Sequence, residues 1–158
     1  MRCCRSADAY DTFLDLLELD RGNSITGETR DWIIETMDLC PPEIRQRHPF
    51  ALLVYGMSLL TFYDLERFGG VCGEIAATLE SGLLDAEVLR RVAGEFEVLM
   101  GLTEYNDIGR MAERFRTACT LLEEPVRFLD TKESWTFGSP SVLYLFHREI
   151  GRLGEEVK

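Results

Sequence analysis

Apolar side chains recur along most of this chain at intervals of three and four residues, the spacing that lines one face of an α-helix. Tyr10, Phe13, Leu14 and Leu17 make the first such face, with Asp11, Asp15 and Glu18 opposite, and predict a helix over residues 7–20. Arg21-Gly22-Asn23-Ser24 supplies turn chemistry, and Thr26-Gly27-Glu28-Thr29 precedes a second apolar set at Trp32, Ile33, Thr36 and Met37. That second helix should end near Leu39. Pro41-Pro42-Glu43 suits a first helical turn, because proline has no amide hydrogen to lose there, so residues 42–47 read as a short helix stopped before Pro49. From Pro49 onward Leu52, Leu53, Gly56, Leu59 and Leu60 form one stripe, and Asp64 is placed to cap a helix carrying Leu65, Phe68, Cys72, Ile75 and Leu79. These two helices should be antiparallel neighbours. A second hairpin follows: Asp85 caps a helix with Val88, Leu89, Val92, Phe96, Leu99 and Met100, and beyond the polar turn Glu104-Tyr105-Asn106-Asp107 comes one with Ile108, Met111, Phe115 and Leu122. No alternating run bounded by hairpin turns appears, so the predicted class is all-α.

Repeated helical hairpins invite comparison with tetratricopeptide repeats, in which small residues let paired helices approach closely. Leu52, Tyr55-Gly56, Leu59, Cys72 and Ile75 fall near the repeat's positions, but Phe68 stands where a small residue is preferred. The next unit begins roughly 35 to 45 residues later, a longer step than the ~34-residue repeat. The expected architecture is an irregular antiparallel helix-hairpin (tetratricopeptide-like) solenoid forming a single helical-repeat domain over residues 1–158. Its parts are an N-terminal helix and turn (1–24), helix pairs (25–124) and a Gly/Pro-interrupted C-terminal segment (125–158), in which Ser139 is placed to cap a short helix from Pro140.

Composition narrows the function. The 158 residues are 46% hydrophobic and carry 17 basic against 28 acidic side chains, a net charge of −11. That length can hide roughly two thirds of its unfolded surface without disulfide or metal staples. The acidic balance repels phosphates, which argues against nucleic acid and anionic membranes as partners. The longest apolar stretch, residues 50–63, is interrupted by Gly56, Ser58 and Thr61 and is too short to span a bilayer. Met1-Arg2-Cys3-Cys4-Arg5 is followed by Asp8 and Asp11 instead of an apolar export segment, so a cytoplasmic location is expected. Five cysteines, at positions 3, 4, 40, 72 and 119, include no C-x-x-C pair, and no metal or other cofactor is expected. Cys72 and Cys119 fall in helical apolar patterns, where a thiol serves as a small buried hydrophobe.

Catalytic motifs are lacking. Gly69-Gly70-Val71-Cys72-Gly73 has the glycines of a phosphate loop without its lysine and sits inside a helical stripe. No Gly-x-Ser-x-Gly elbow occurs. Cys40 with His48 has nothing to orient a third group, and His147 reads as an ordinary helix-end residue. An enzyme is not expected. Residues 95–118 have the polar corner of a helix-turn-helix, with Arg110, Arg114 and Arg116 on the second helix. However, residues 85–122 hold 5 basic and 7 acidic side chains, a poor surround for phosphates. Tyr105, Trp135, Phe137 and Tyr144 offer flat rings with hydroxyl and indole donors. With His147 they form the candidate ligand or interaction surface.

Several stretches carry a family likeness: Pro41-Pro42-Glu43-Ile44-Arg45-Gln46-Arg47-His48-Pro49 leading into Ala51-Leu52-Leu53-Val54-Tyr55, then Tyr105-Asn106-Asp107-Ile108, and above all Ser134-Trp135-Thr136-Phe137-Gly138-Ser139-Pro140 running on to Arg148. Together, over about residues 25–157, they resemble the helical-repeat arm of bacterial LuxR-family transcriptional regulators of the large, maltose-regulator-like type. The resemblance implies an arm set between a nucleotide-binding ATPase and a promoter-binding helix-turn-helix, with inducer binding favouring self-association. The sequence has no Walker motif and no basic helix-turn-helix before Lys158, so nucleotide hydrolysis and DNA binding are not carried over. No ligand motif of the family maps onto Trp135 or its neighbours.

The expected function is a non-catalytic sensing and protein-interaction arm. Its partners would be other domains of the same regulator, a second copy, or a small-molecule inducer, whose binding shifts the regulator toward its active assembly. The alternative is a small DNA-binding protein using residues 95–118.

Overall fold

The computed structural model describes residues 7–104 and 107–129. Within them lie seven helices and no strand: α1 (Ala7–Asp20), α2 (Arg30–Leu39), α3 (Pro42–Arg45), α4 (Pro49–Thr61), α5 (Leu65–Glu80), α6 (Ala86–Thr103) and α7 (Ile108–Leu121). The bounds read from periodicity hold for α1 and for the end of α2. Helix α3 stops short of Arg47, because the amides of Arg47 and His48 bond back to the carbonyls of Ile44 and Arg45 in tighter, 3₁₀-like steps. Asp64, Asp85 and Asp107 each accept the backbone amide three residues on, from Arg67 at 3.4 Å, Val88 at 2.9 Å and Arg110 at 3.0 Å. Such caps contribute about 1 kcal/mol each.

Helix α4 lies at the centre. Pro49, Ala51 through Gly56, and Leu59 are all buried, because α1, α3, α5 and α6 pack around it, and a helix covered from several sides must be apolar all round. The turn after α1 fits against it closely. Asp20 accepts the amides of Gly22 and Ser24 at 2.8 and 2.9 Å, and Gly22 adopts a φ of +79°. A Cβ there would come within 2.9 Å of Val54 Cγ1, so both backbone and packing require glycine.

Helices α4 and α5 form one hairpin, and α6 and α7 another. Gly94 faces Leu121 and Leu122, while Gly101, two turns on, faces Arg114 and Phe115, so α6 and α7 run antiparallel along their length. Gly56 of α4 joins the hairpins, meeting Val71 and Phe68 of α5 and Leu99 of α6. Past α7 the chain folds back to bury Phe128. Glu95 on α6 accepts the Phe128 amide at 3.2 Å, and Arg91 donates to Glu124 at 2.9 Å and to the Pro125 carbonyl at 2.8 Å.

Three expected core positions are corrected. Cys119 is exposed, since the buried stripe of α7 passes through its neighbour Ala118. Leu65, the first residue of α5, and Trp32, on the outer side of α2, are also exposed, with Trp32 resting edge-on against the Phe13 ring at 5.7 Å. The Cys3-Cys4 pair, the Ser139 cap and the segment 130–158 lie outside the described residues.

Candidate functional site

The aromatic surface expected from sequence, Tyr105, Trp135, Phe137, Tyr144 and His147, lies outside the described residues. Within them a cavity of about 450 Å³ opens where side chains of α2, α3, α4 and α5 meet, a volume suited to a small ligand. Each wall follows from helical spacing. Leu52 and Tyr55 lie three apart on α4, and Arg67, Val71 and Glu74 recur on one face of α5, while Met37 and Asp38 come from the end of α2 and Arg45 from α3.

Two ion pairs flank this space, and they differ in kind. Arg45 forks onto Glu74, Nε to Oε2 at 2.9 Å and Nη2 to Oε1 at 2.7 Å, and donates through Nη1 to the Met37 carbonyl at 2.7 Å. Its side chain is 16% exposed and clamps α2, α3 and α5 together. Arg67 is looser: it is 46% exposed and reaches Asp38 and Asp64 only at 3.4 Å. Screening by water leaves such a pair weak and exchangeable. Tyr55, in the same lining, is 4% exposed, and its buried hydroxyl has no hydrogen-bond partner. Burial pushes its pKa up to about 12, so it stays a proton donor at neutral pH.

A shallower pocket adjoins it, sharing Asp38 and Arg67 and lined also by Arg30 and Asp64. Arg30 donates from Nη2 to Asp64 at 3.2 Å and lies 5.2 Å over the Phe62 ring, yet its buried Nε lacks an acceptor. Two donors without partners therefore flank the Asp38–Arg67 pair.

An unpaired buried hydroxyl costs about 1–3 kcal/mol, whereas the same ring without it costs nothing of the kind. Tyr55→Phe is therefore expected to raise the melting temperature of the chain alone, by about 2–4 °C for each kcal/mol recovered. A lower melting temperature would mean that the hydroxyl is bonded in solution.

The Cys40–His48 pair is not assembled. His48 Nε2 lies 2.8 Å from Asp11 and Nδ1 lies 3.3 Å from Asp15, while the buried Cys40 thiol approaches the Pro41 carbonyl and is pushed up in pKa by burial. The hydrogen bond from His48, above all, holds Asp11 below its usual pKa. Glu18 accepts the Ala51 amide at 3.1 Å in the first turn of α4, and burial raises its pKa. The acidic face of α1, opposite its apolar stripe, is thus the seat for the entry into α4. Its spacing of four and three residues was the available signal.

Of the arginines on the second helix of the helix-turn-helix reading, Arg114 pairs with Glu97 at 3.0 Å and Arg110 lies 3.6 Å from Glu104, both within the hairpin. Among the described residues, no group of three or more His, Cys, Asp or Glu is arranged to hold a metal ion, and no helix is long and apolar enough to cross a membrane. Compared with known proteins, the chain matches no family model, no curated protein and no solved structure.

Proposed function

We propose that this chain is a non-catalytic sensing and interaction arm of a LuxR-family regulator, a tetratricopeptide-like array of helix pairs in which small-molecule binding biases assembly. The packing order of the helices supports this most directly. Helix α4 packs on its hairpin partner α5 and on α6, the first helix of the next hairpin, while α6 packs on α7 and back on α5. That is the neighbour pattern of stacked helix pairs, an architecture suited to recognition. Gly56, at the repeat's own glycine position, permits close approach of α4 to Val71 and Phe68 of α5 and to Leu99 of α6, while Phe68 stands where the repeat prefers a small residue.

The cavity supplies a place where a ligand would touch both helices of a hairpin and the preceding α2 and α3 at once. Binding there would favour whichever packing of these helices makes the better contacts, which is the linkage a sensor needs. The helix-turn-helix alternative has less support, because α6 and α7 lie antiparallel along their length, whereas a DNA-reading pair crosses at a wide angle.

The test is a thermal-shift panel of sugars, nucleotides, amino acids and peptides on the intact chain, followed by light scattering with any binder. A saturable rise in melting temperature that Arg67→Gln abolishes is the expected result. No response to any class would overturn the sensing role, and salt-sensitive retention on duplex DNA would favour the alternative.

A further inference from the structure

The two ion pairs of the cavity divide the labour between framework and recognition. Arg45 has its fork occupied by Glu74 and its remaining terminal nitrogen by the Met37 carbonyl, so it has little left to offer a ligand. Arg67 and Asp38 are the reverse. They touch only at 3.4 Å, and about half of each side chain is open to solvent, at 46% and 57%. Either can exchange its partner for a ligand group at small cost. Tyr55 lines the same cavity with a buried hydroxyl that needs an acceptor, and Leu52, Val71 and Met37 belong to its apolar lining.

A ligand satisfying this set needs an anionic acceptor for Arg67 and Tyr55, a cationic donor for Asp38, and an apolar body. A simple anion would meet Asp38 and Glu74, a simple cation would meet Arg45 and Arg67, and a polyol would leave the apolar wall uncovered. Charges of opposite sign set one carbon apart match the closeness of Arg67 Nη2 to Asp38 Oδ2. We propose that the cavity binds a free α-amino acid with an aliphatic side chain as its zwitterion, the carboxylate held by Arg67 and Tyr55 and the ammonium by Asp38. This rests on the sensing role of the same cavity and names the ligand class for it.

Isothermal titration of the intact chain with L-leucine tests the assignment, beside leucinamide (no carboxylate), 4-methylpentanoate (no ammonium) and the dipeptide Leu-Leu (charges separated). Leucine is expected to bind in or below the millimolar range. Hydrogen bonds to charged groups contribute about 1.5–3 kcal/mol, so each analogue, and each of Arg67→Gln, Asp38→Asn and Tyr55→Phe, should weaken binding about tenfold or more. Because Tyr55→Phe is expected to fold more stably, its loss of binding would not reflect misfolding. Equal binding of leucine and 4-methylpentanoate, or leucine binding indifferent to Asp38→Asn, would overturn the zwitterion. So would failure of leucine alongside a Tyr55-dependent response to a sugar, nucleotide or peptide, an outcome that leaves the sensing cavity in place. Silence toward every compound overturns both.

Discussion

Glu95→Ala is expected to destabilise the fold by about 3–5 kcal/mol, the usual result of removing one partner from a buried charge pair. Glu95 is fully buried on α6, with Arg91 Nε at 3.2 Å on one oxygen and the Phe128 amide at 3.2 Å on the other. Alanine would leave that amide enclosed without an acceptor and loosen Arg91, whose remaining bonds run to Glu124 and Pro125. Domains of this kind are stable by only about 5–15 kcal/mol, so the loss should be plain in urea melts. Glu95→Gln keeps an acceptor and should cost less than half as much.

The pH dependence of the same residue has a definite sign. Burial raises the Glu95 pKa despite the donors around it, so the folded state holds its proton to higher pH than the unfolded chain does. Its contribution to stability is therefore greatest below the unfolded value and declines as pH rises through the folded one. Glu95→Gln should flatten that part of the stability profile. An unchanged slope in the variant would show that the Glu95 pKa is the same in the folded and unfolded chain.

Glu95 also marks where sequence reading stops. Residues 7–20 could be delimited from periodicity alone, and Asp64 and Asp85 announced themselves as caps, because both features depend on neighbours a few residues away. Glu95 looks like any outer-face acid until the chain returns 33 residues later and closes Phe128 over it. The cavity is hidden for a similar reason. Arg45 and Glu74 are 29 residues apart, and Tyr55 sits in a helix so apolar that its hydroxyl is easily read as incidental. Helical period locates the faces, but which polar group on a face goes unpaired depends on the crossing of four helices. The misplaced Cys119 has a more local cause, since one residue along a narrow apolar stripe turns a side chain by about 100°.

The contact of α6 with α4 leads to the second large effect, at Leu99. This side chain is fully buried on α6, and a Cβ added at Gly56 of α4 would lie 3.2 Å from its Cδ2. Leu99→Ala is expected to cost about 2–5 kcal/mol, through lost burial and the space left where α4 meets α6. Gly56→Ala in the native background has opposing consequences: alanine favours a helix by about 1 kcal/mol, but its methyl presses on Leu99. In the Leu99→Ala background the tight contact is gone and the methyl keeps only ordinary contacts with Val71 and Phe68, so the helix preference is released and part of the hole is filled. The double-mutant cycle should accordingly give a favourable coupling on the order of 1 kcal/mol, well beyond the ~0.3–0.5 kcal/mol within which distant sites are additive. The measurement bears on function as well as packing. The contact between α4 and α6 links the two hairpins, and in the proposed sensor it is the route by which a ligand held between α4 and α5 would be felt by α6. Additive effects would separate the hairpins energetically and deprive the proposed sensor of that route.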